Sequence, residues 1–306
     1  MPPAARDHRG VSRILVHETP PTTVPSGASR RGVAVCAVDD DGHALDVIAT
    51  GAHLAAAGRL DLVFVHVVAP AGVFAIAGED VAQSLLAEAA DRGYATLRRL
   101  GLGGAHALVE VSDDVPSALR SAARSYGASL IVVGAGPGGA LRRALGFSVT
   151  NELLRGGGPP VVVARGADEL GRADGPVIAA VSGRGRAPRL SASWGARLAS
   201  VLDRPLVLAL VGGEEDARRA DALVESTGAQ AAVTPGCGRD VAAGLEEIAR
   251  DLGASAVALS YPRGRLDAAL GRGRIARRLA KRCTAPVAVV PPVVRARPDR
   301  GGSRSA

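Results

Sequence analysis

Aromatic residues make up only 2% of this 306-residue chain: one Trp, three Tyr and three Phe. That scarcity argues against a surface that stacks the bases of single-stranded nucleic acid. It also means that any core is built from Val, Leu, Ile and Ala. Cysteine is as sparse. Cys36, Cys237 and Cys283 share no CxxC spacing, so zinc ligation and a disulfide framework have no basis and free thiols are expected. Cys36 falls inside an apolar run and reads as packing, while Cys237 lies in a Gly/Pro loop. No apolar run reaches membrane-spanning length; the nearest, residues 62–77, is broken by His66, Pro70 and Gly72. Residues 1–31 have no apolar segment of the secretory kind, and a cytoplasmic location with no membrane partner is expected.

Catalytic signatures are absent too. No Gly-Lys-Ser/Thr phosphate loop, no GxSxG elbow and no zinc spacing occurs, so the chain is not expected to be an enzyme. Slow ATP hydrolysis would rest on analogy alone, with no identified base. The six histidines all lie in the first third, and His66, on an apolar run, reads as a core or strand-end residue.

What is present is organised around residues 130–163. The buried run Leu130, Ile131, Val132, Val133 empties into a loop carrying Gly134, Gly136, Gly138 and Gly139; a helical segment with Arg142 and Arg143 follows, then the run 161–163. A strand of β-branched residues without alternation belongs to a parallel sheet covered on both faces. A glycine loop ahead of a helix lets main-chain N–H groups approach an anion, which points to a phosphate site after Val133. The plainer alternative is a tight strand-to-helix turn.

The same unit recurs near the C-terminus. The run 256–259 leads into a Gly/Pro/Arg loop and a basic helical segment, and Pro286 with the run 287–290 lies 126 residues beyond Pro160 and the run 161–164. An offset of that size is a domain duplication. Between these landmarks the first half reads strand 32–38, helix 44–57, strand 62–68, helix 80–100, strand 107–111 and helix 117–126. The second repeats it as strand 177–181, helix 190–202, strand 206–211, helix 214–228, strand 230–233 and helix 241–252. Alternation of this kind gives parallel sheets with right-handed crossovers. The expected organisation is a disordered arm 1–31, domain one over 32–165, a linker 166–176, domain two over 177–292 and a disordered basic tail 293–306.

The formal charge of +7 sits mostly outside the domains: +3 in residues 1–31 and +3 in residues 292–306, leaving +1 for residues 32–291. One internal stretch departs from this balance. Residues 263–282 carry eight Arg or Lys against Asp267 alone, a solvated helix face or an anion-binding surface that includes Arg274, Arg277 and Arg278.

Each half resembles a universal stress protein domain, and the whole resembles the tandem form of that family. The likeness covers residues 32–165 and 177–292. It implies two doubly wound α/β domains of the adenine nucleotide alpha hydrolase-like kind, each a five-stranded parallel sheet of order 3-2-1-4-5, packed as a pseudo-twofold pair through the fifth strands. It also implies a site for ATP or a related adenine nucleotide at the carboxyl ends of the first and fourth strands. Onto the family motifs fall Val38 and Asp39 at the end of the first strand, Gly134 as the first glycine of the fourth-strand loop, and Ser148 as its hydroxyl. Pro137 and Phe147 replace the second and third glycines, while Gly136 and Gly146 stand one residue earlier; Gly138 and Gly139 also remain available to an anion. In the second half Ser182 replaces the acid, and Ser260, Arg263, Gly273 and Arg274 occupy the motif positions, so that half is expected to be degenerate. Asp40 and Asp41 beside Asp39 could hold Mg²⁺ with a triphosphate. The resulting expectation is a non-catalytic, nucleotide-binding stress-response protein whose two domains pair within the chain, with homodimerisation left open and nucleic acid not expected. The alternative is a nucleotide-free scaffold that docks an anionic partner through 263–282.

Overall fold

The computed structural model describes residues 15–16, 32–40, 42–69, 79–135, 149–155, 157–166, 174–181, 186–210, 223–225, 227, 229–233, 240–260 and 273–291. After a two-residue strand β1 (Leu15–Val16), the first half runs β2 (Val33–Ala37), α1 (Ala44–Gly58), β3 (Asp61–Val68), α2 (Glu79–Arg99), β4 (Ala107–Val111), α3 (Val115–Ser125), β5 (Ala128–Gly134), α4 (Val149–Arg155) and β6 (Val161–Ala164). The second half runs β7 (Val177–Val181), α5 (Arg186–Leu202), β8 (Leu206–Leu210), β9 (Gln230–Val233), α6 (Val241–Asp251), β10 (Ala256–Ser260), α7 (Gly273–Arg282) and β11 (Val287–Val290).

Among the described residues eleven strands join one sheet in the order β1-β4-β3-β2-β5-β6-β11-β10-β7-β8-β9. Within each half the order is 3-2-1-4-5 and every pairing is parallel. The halves meet through their fifth strands, which pair antiparallel with Ala288 opposite Val162. The join is therefore a shared sheet edge, and it removes the exposed edge that each half would otherwise carry there.

Alternation along the strands divides the core between two faces. Val35, Val65, Ile131, Val133, Val163, Val257 and Val287 belong to one cluster with Leu119 of α3, Leu154 of α4, Leu245 of α6 and Leu279 of α7. Cys36, Phe64, Val132, Val162, Ala179, Leu208 and Ala288 belong to the other with Leu54 of α1, Leu97 of α2 and Leu198 of α5. Both clusters run across the β6 and β11 junction. Small Cβ-poor contacts let helices sit close to the sheet: a Cβ on Gly93 would lie 2.5 Å from Val109 Cγ1.

Three expectations change. Leu15 and Val16, inside the stretch read as a disordered arm, pair antiparallel with Val109 and Glu110 on the edge of β4. The helix expected from residue 190 begins at Arg186 and takes in Pro188, because a proline in a first turn lacks only an N–H that has no helical acceptor. Of the linker, residues 174–176 pack against the second half: Ser255 N donates to Pro176 O (3.0 Å), and Asp174 pairs with Arg204 (2.9 Å). The helix expected at 214–228 lies largely outside the described residues, which are helical at 223–225 and 227.

Candidate functional site

β2 lies between β3 and β5, so the connections leaving its carboxyl end and that of β5 depart to opposite faces and leave a crevice between them. Cys36 pairs with Val132, and two residues further along each strand Val38 stands level with Gly134. Val38 is buried (4% exposed), whereas Asp39 and Asp40 are exposed at the strand end. The Asp39 carboxylate accepts from the Asp40 amide through Oδ1 (2.8 Å).

Gly134 ends β5 opposite Ala164 of β6. A Cβ at this position would lie 2.9 Å from His43 Cβ and 3.7 Å from Val47 Cγ2, so glycine here is what allows the start of α1 to close on the strand end. His43 is the residue before α1; its Nδ1 is paired with Asp46 Oδ2 at 3.3 Å, and no side chain caps the helix. Thr150, in the first turn of α4, donates its hydroxyl to the Gly134 carbonyl (3.4 Å). Two further side chains hold the neighbourhood. His66 Nδ1 is 2.9 Å from the Val38 carbonyl, and Arg165, one residue past β6, donates to the carbonyl of Ala280 in the other half at 2.6 Å. Burial pushes the Arg165 guanidinium below the ordinary arginine value, an effect that the Cys283 and Asp46 charges oppose.

Of the residues expected at the site, the structure thus places Val38 and Asp39 just past the end of β2 and Gly134 at the end of the adjacent strand β5. Gly136, Gly138, Gly139, Ser148 and Asp41 lie outside the described residues. Among the described residues no group of three or more His, Cys, Asp or Glu is placed to hold a metal ion. His43, His66, Thr150 and Arg165 were not singled out for the site by sequence. Thr150 had a signal, since it stands two residues after the motif hydroxyl; the others depend on contacts between distant segments.

The universal stress protein family model matches residues 32–165. Residues 32–165 belong to the universal stress protein family. Across both halves the fold is similar to that of a universal stress protein from Archaeoglobus fulgidus DSM 4304, with a TM-score of 0.62 at 14% identity over 85% of this chain and 96% of that one. A functionally unknown protein from Pseudomonas aeruginosa PAO1 gives a TM-score of 0.58 at 16% identity over 85% and 92% of the two chains. No curated protein sequence matches the chain significantly.

Outside residues 32–165, the second half has a hydroxyl contact at the matching strand end. Ser260 stands where Gly134 does, and its amide donates to Ser191 Oγ at 2.8 Å. Ser191 lies in α5 and is fully buried at 1% exposure. The α5 hydroxyl therefore occupies an amide at the strand end from within the protein. Of the basic segment, Arg274 is exposed at the start of α7, Arg277 is half-buried, and Arg278 is held between α7 and α6 by the Asp240 carboxylate and by Glu246 Oε1 (3.4 Å from its Nε). Asp240 also caps α6, accepting from Ala243 N at 3.2 Å. Arg278 is thus an internal tie between two helices. No helix among the described residues is long and apolar enough to cross a membrane.

Proposed function

We propose that the chain binds one adenine nucleotide, ATP in the first instance, in the universal stress protein domain, as a regulatory ligand rather than a substrate. The observation that carries this reading is the convergence of Asp39 and Gly134 at the ends of two adjacent parallel strands. An acid suits ribose hydroxyls, and a close main-chain approach suits phosphates. The domains run over 32–165 and 177–292. The second is a degenerate copy retained for pairing through β6 and β11, its strand-end amide already taken by Ser191. Binding shifts the population between conformations of the pair, so the nucleotide acts as a signal.

The test is direct. The purified protein is denatured and its released small molecules are analysed, and ATP is titrated into the emptied protein. About one equivalent per chain, weakened at least tenfold by Asp39→Ala, is the expected result. Two equivalents would overturn the degenerate second half, and no binding would overturn the function.

A further inference from the structure

His66 lies two residues before the end of β3, with 7% of its surface exposed. Its ring does more than fill space. The ladder between β2 and β3 runs through Ala37 opposite Val65, yet β3 continues to Val68 while β2 stops. The first residue beyond β2 is held through both of its flanking peptides by β3: Val38 N donates to Val65 O at 3.0 Å, and the Val38 carbonyl lies 2.9 Å from His66 Nδ1. A carbonyl oxygen only accepts, so Nδ1 carries the proton and this tautomer is fixed by the contact. Fixing the Val38 carbonyl fixes the plane of the peptide that joins it to Asp39, and with it the direction in which the Asp39 carboxylate leaves the sheet.

The internal repeat supplies an independent comparison. In the second half Val181 stands where Val38 does and pairs with Leu210, which therefore occupies the place of His66. Leu210 is buried (3% exposed) and has no side-chain donor. The residue after Val181 is Ser182. The half that has the acid has the histidine, and the half that has lost the acid has an aliphatic residue in its place. That is the pattern a histidine serving the acid would leave.

We infer that His66 is a positioning residue for Asp39: its Nδ1–H holds the Val38 carbonyl so that the carboxylate is presented to the ligand, an inference that rests on the nucleotide reading above. It touches no ligand itself. The experiment compares His66→Asn, whose amide N–H takes the place of Nδ1–H, with His66→Gln, which reaches past it, and His66→Leu, which copies the second half. Two readouts are taken on the full chain: the Asp40 amide resonance without ligand, which reports the Asp39 carboxylate it donates to, and ATP affinity by titration.

Gln and Leu are expected to move the Asp40 resonance and to weaken ATP about tenfold, the equivalent of one lost hydrogen bond, while Asn restores both. A resonance and affinity unchanged in Gln and Leu would overturn the inference, as would a wild-type ring found unprotonated at Nδ1 by nitrogen NMR. If the wild-type protein takes up no ATP, the function falls instead, and the Asp40 resonance across the three variants still decides the role of His66.

Discussion

The guanidinium of Arg165 in the first half donates to the main-chain carbonyl of Ala280 in the second, at 2.6 Å. Ala280 lies in the last turn of α7, where carbonyl groups lack helical partners and a cation is favoured. Arg165 follows Ala164, which pairs with Gly134, so one residue links the strand end at the candidate site to a helix of the other half.

Arg165→Met keeps much of the apolar stem and removes the donor. We expect unfolding in urea to show a loss of about 1.5–3 kcal/mol, the range for a hydrogen bond from a charged group. Arg165→Lys should recover part of it. A stability equal to wild type in the Met variant would mean that the clasp between the halves adds nothing.

Gly134→Ala places a Cβ 2.9 Å from His43 Cβ, and that contact is to the stiff base of a side chain beside α1. The strand end and α1 should part by a few tenths of an ångström. ATP affinity is expected to fall at least tenfold with a small loss of stability. Unaltered affinity would place the nucleotide elsewhere.

Burial alone pushes the Cys36 thiol up to about 12, and burial likewise raises Cys283. Neither should react with a thiol reagent at pH 8 in the folded protein, and both should react on unfolding. The Cys36 proton is held more tightly folded than unfolded. Its contribution to stability is accordingly complete below an unfolded value near 9.0 and is lost as pH rises towards about 12. Cys36→Ala should flatten that alkaline decline.

The Asp240 carboxyl is held below its ordinary value first by the Ala243 amide and next by Arg278. A lowered folded value gives stability that is present above the unfolded value of 3.8 and lost as pH falls through the folded one. Asp240→Asn keeps a cap acceptor and should shrink the acid-limb loss, read by urea unfolding across acid pH. Arg278→Gln should loosen α7 from α6 while leaving retention on a polyphosphate column unchanged. Weaker retention would show that Arg278 faces an outside anion after all.

Ser191→Val leaves the part-buried Ser260 amide without its acceptor. The expected cost is about 1–3 kcal/mol in unfolding free energy, with ATP stoichiometry unchanged at one. A second equivalent of nucleotide would show that the Ser191 hydroxyl had been closing a competent site.

Much of the fold was legible because its signals are local. Buried parallel strands announce themselves as unbroken runs of Val, Ile, Leu and Ala, and the duplication is visible in the 126-residue offset of the two Pro-led fifth strands. The helix expected at 117–126 forms as α3, which Asp114 caps by accepting from Ser117 N at 3.0 Å. The boundary of α5 was misplaced because Pro188 reads as a breaker unless its place in the first turn is known. Leu15 and Val16 were missed because two residues pair with β4 through main-chain groups that leave no mark in composition.

Sequence by itself determined a parallel βα architecture with right-handed crossovers, and the strand order followed from the family resemblance. It also showed that the order of strands and helices recurs and that Ser182 stands where the first half has Asp39. Only the tertiary structure decided which groups spend their hydrogen bonds internally. Arg278 reads in the sequence as part of an anion-binding surface, but it is hydrogen-bonded to Asp240 and ion-paired with Glu246, and the Ser191 hydroxyl is taken by the Ser260 amide. His66 reads as a core residue, but its ring donates to the peptide that aims Asp39. Such pairings depend on register and on a few tenths of an ångström between segments far apart in the chain, where sequence pattern carries no information.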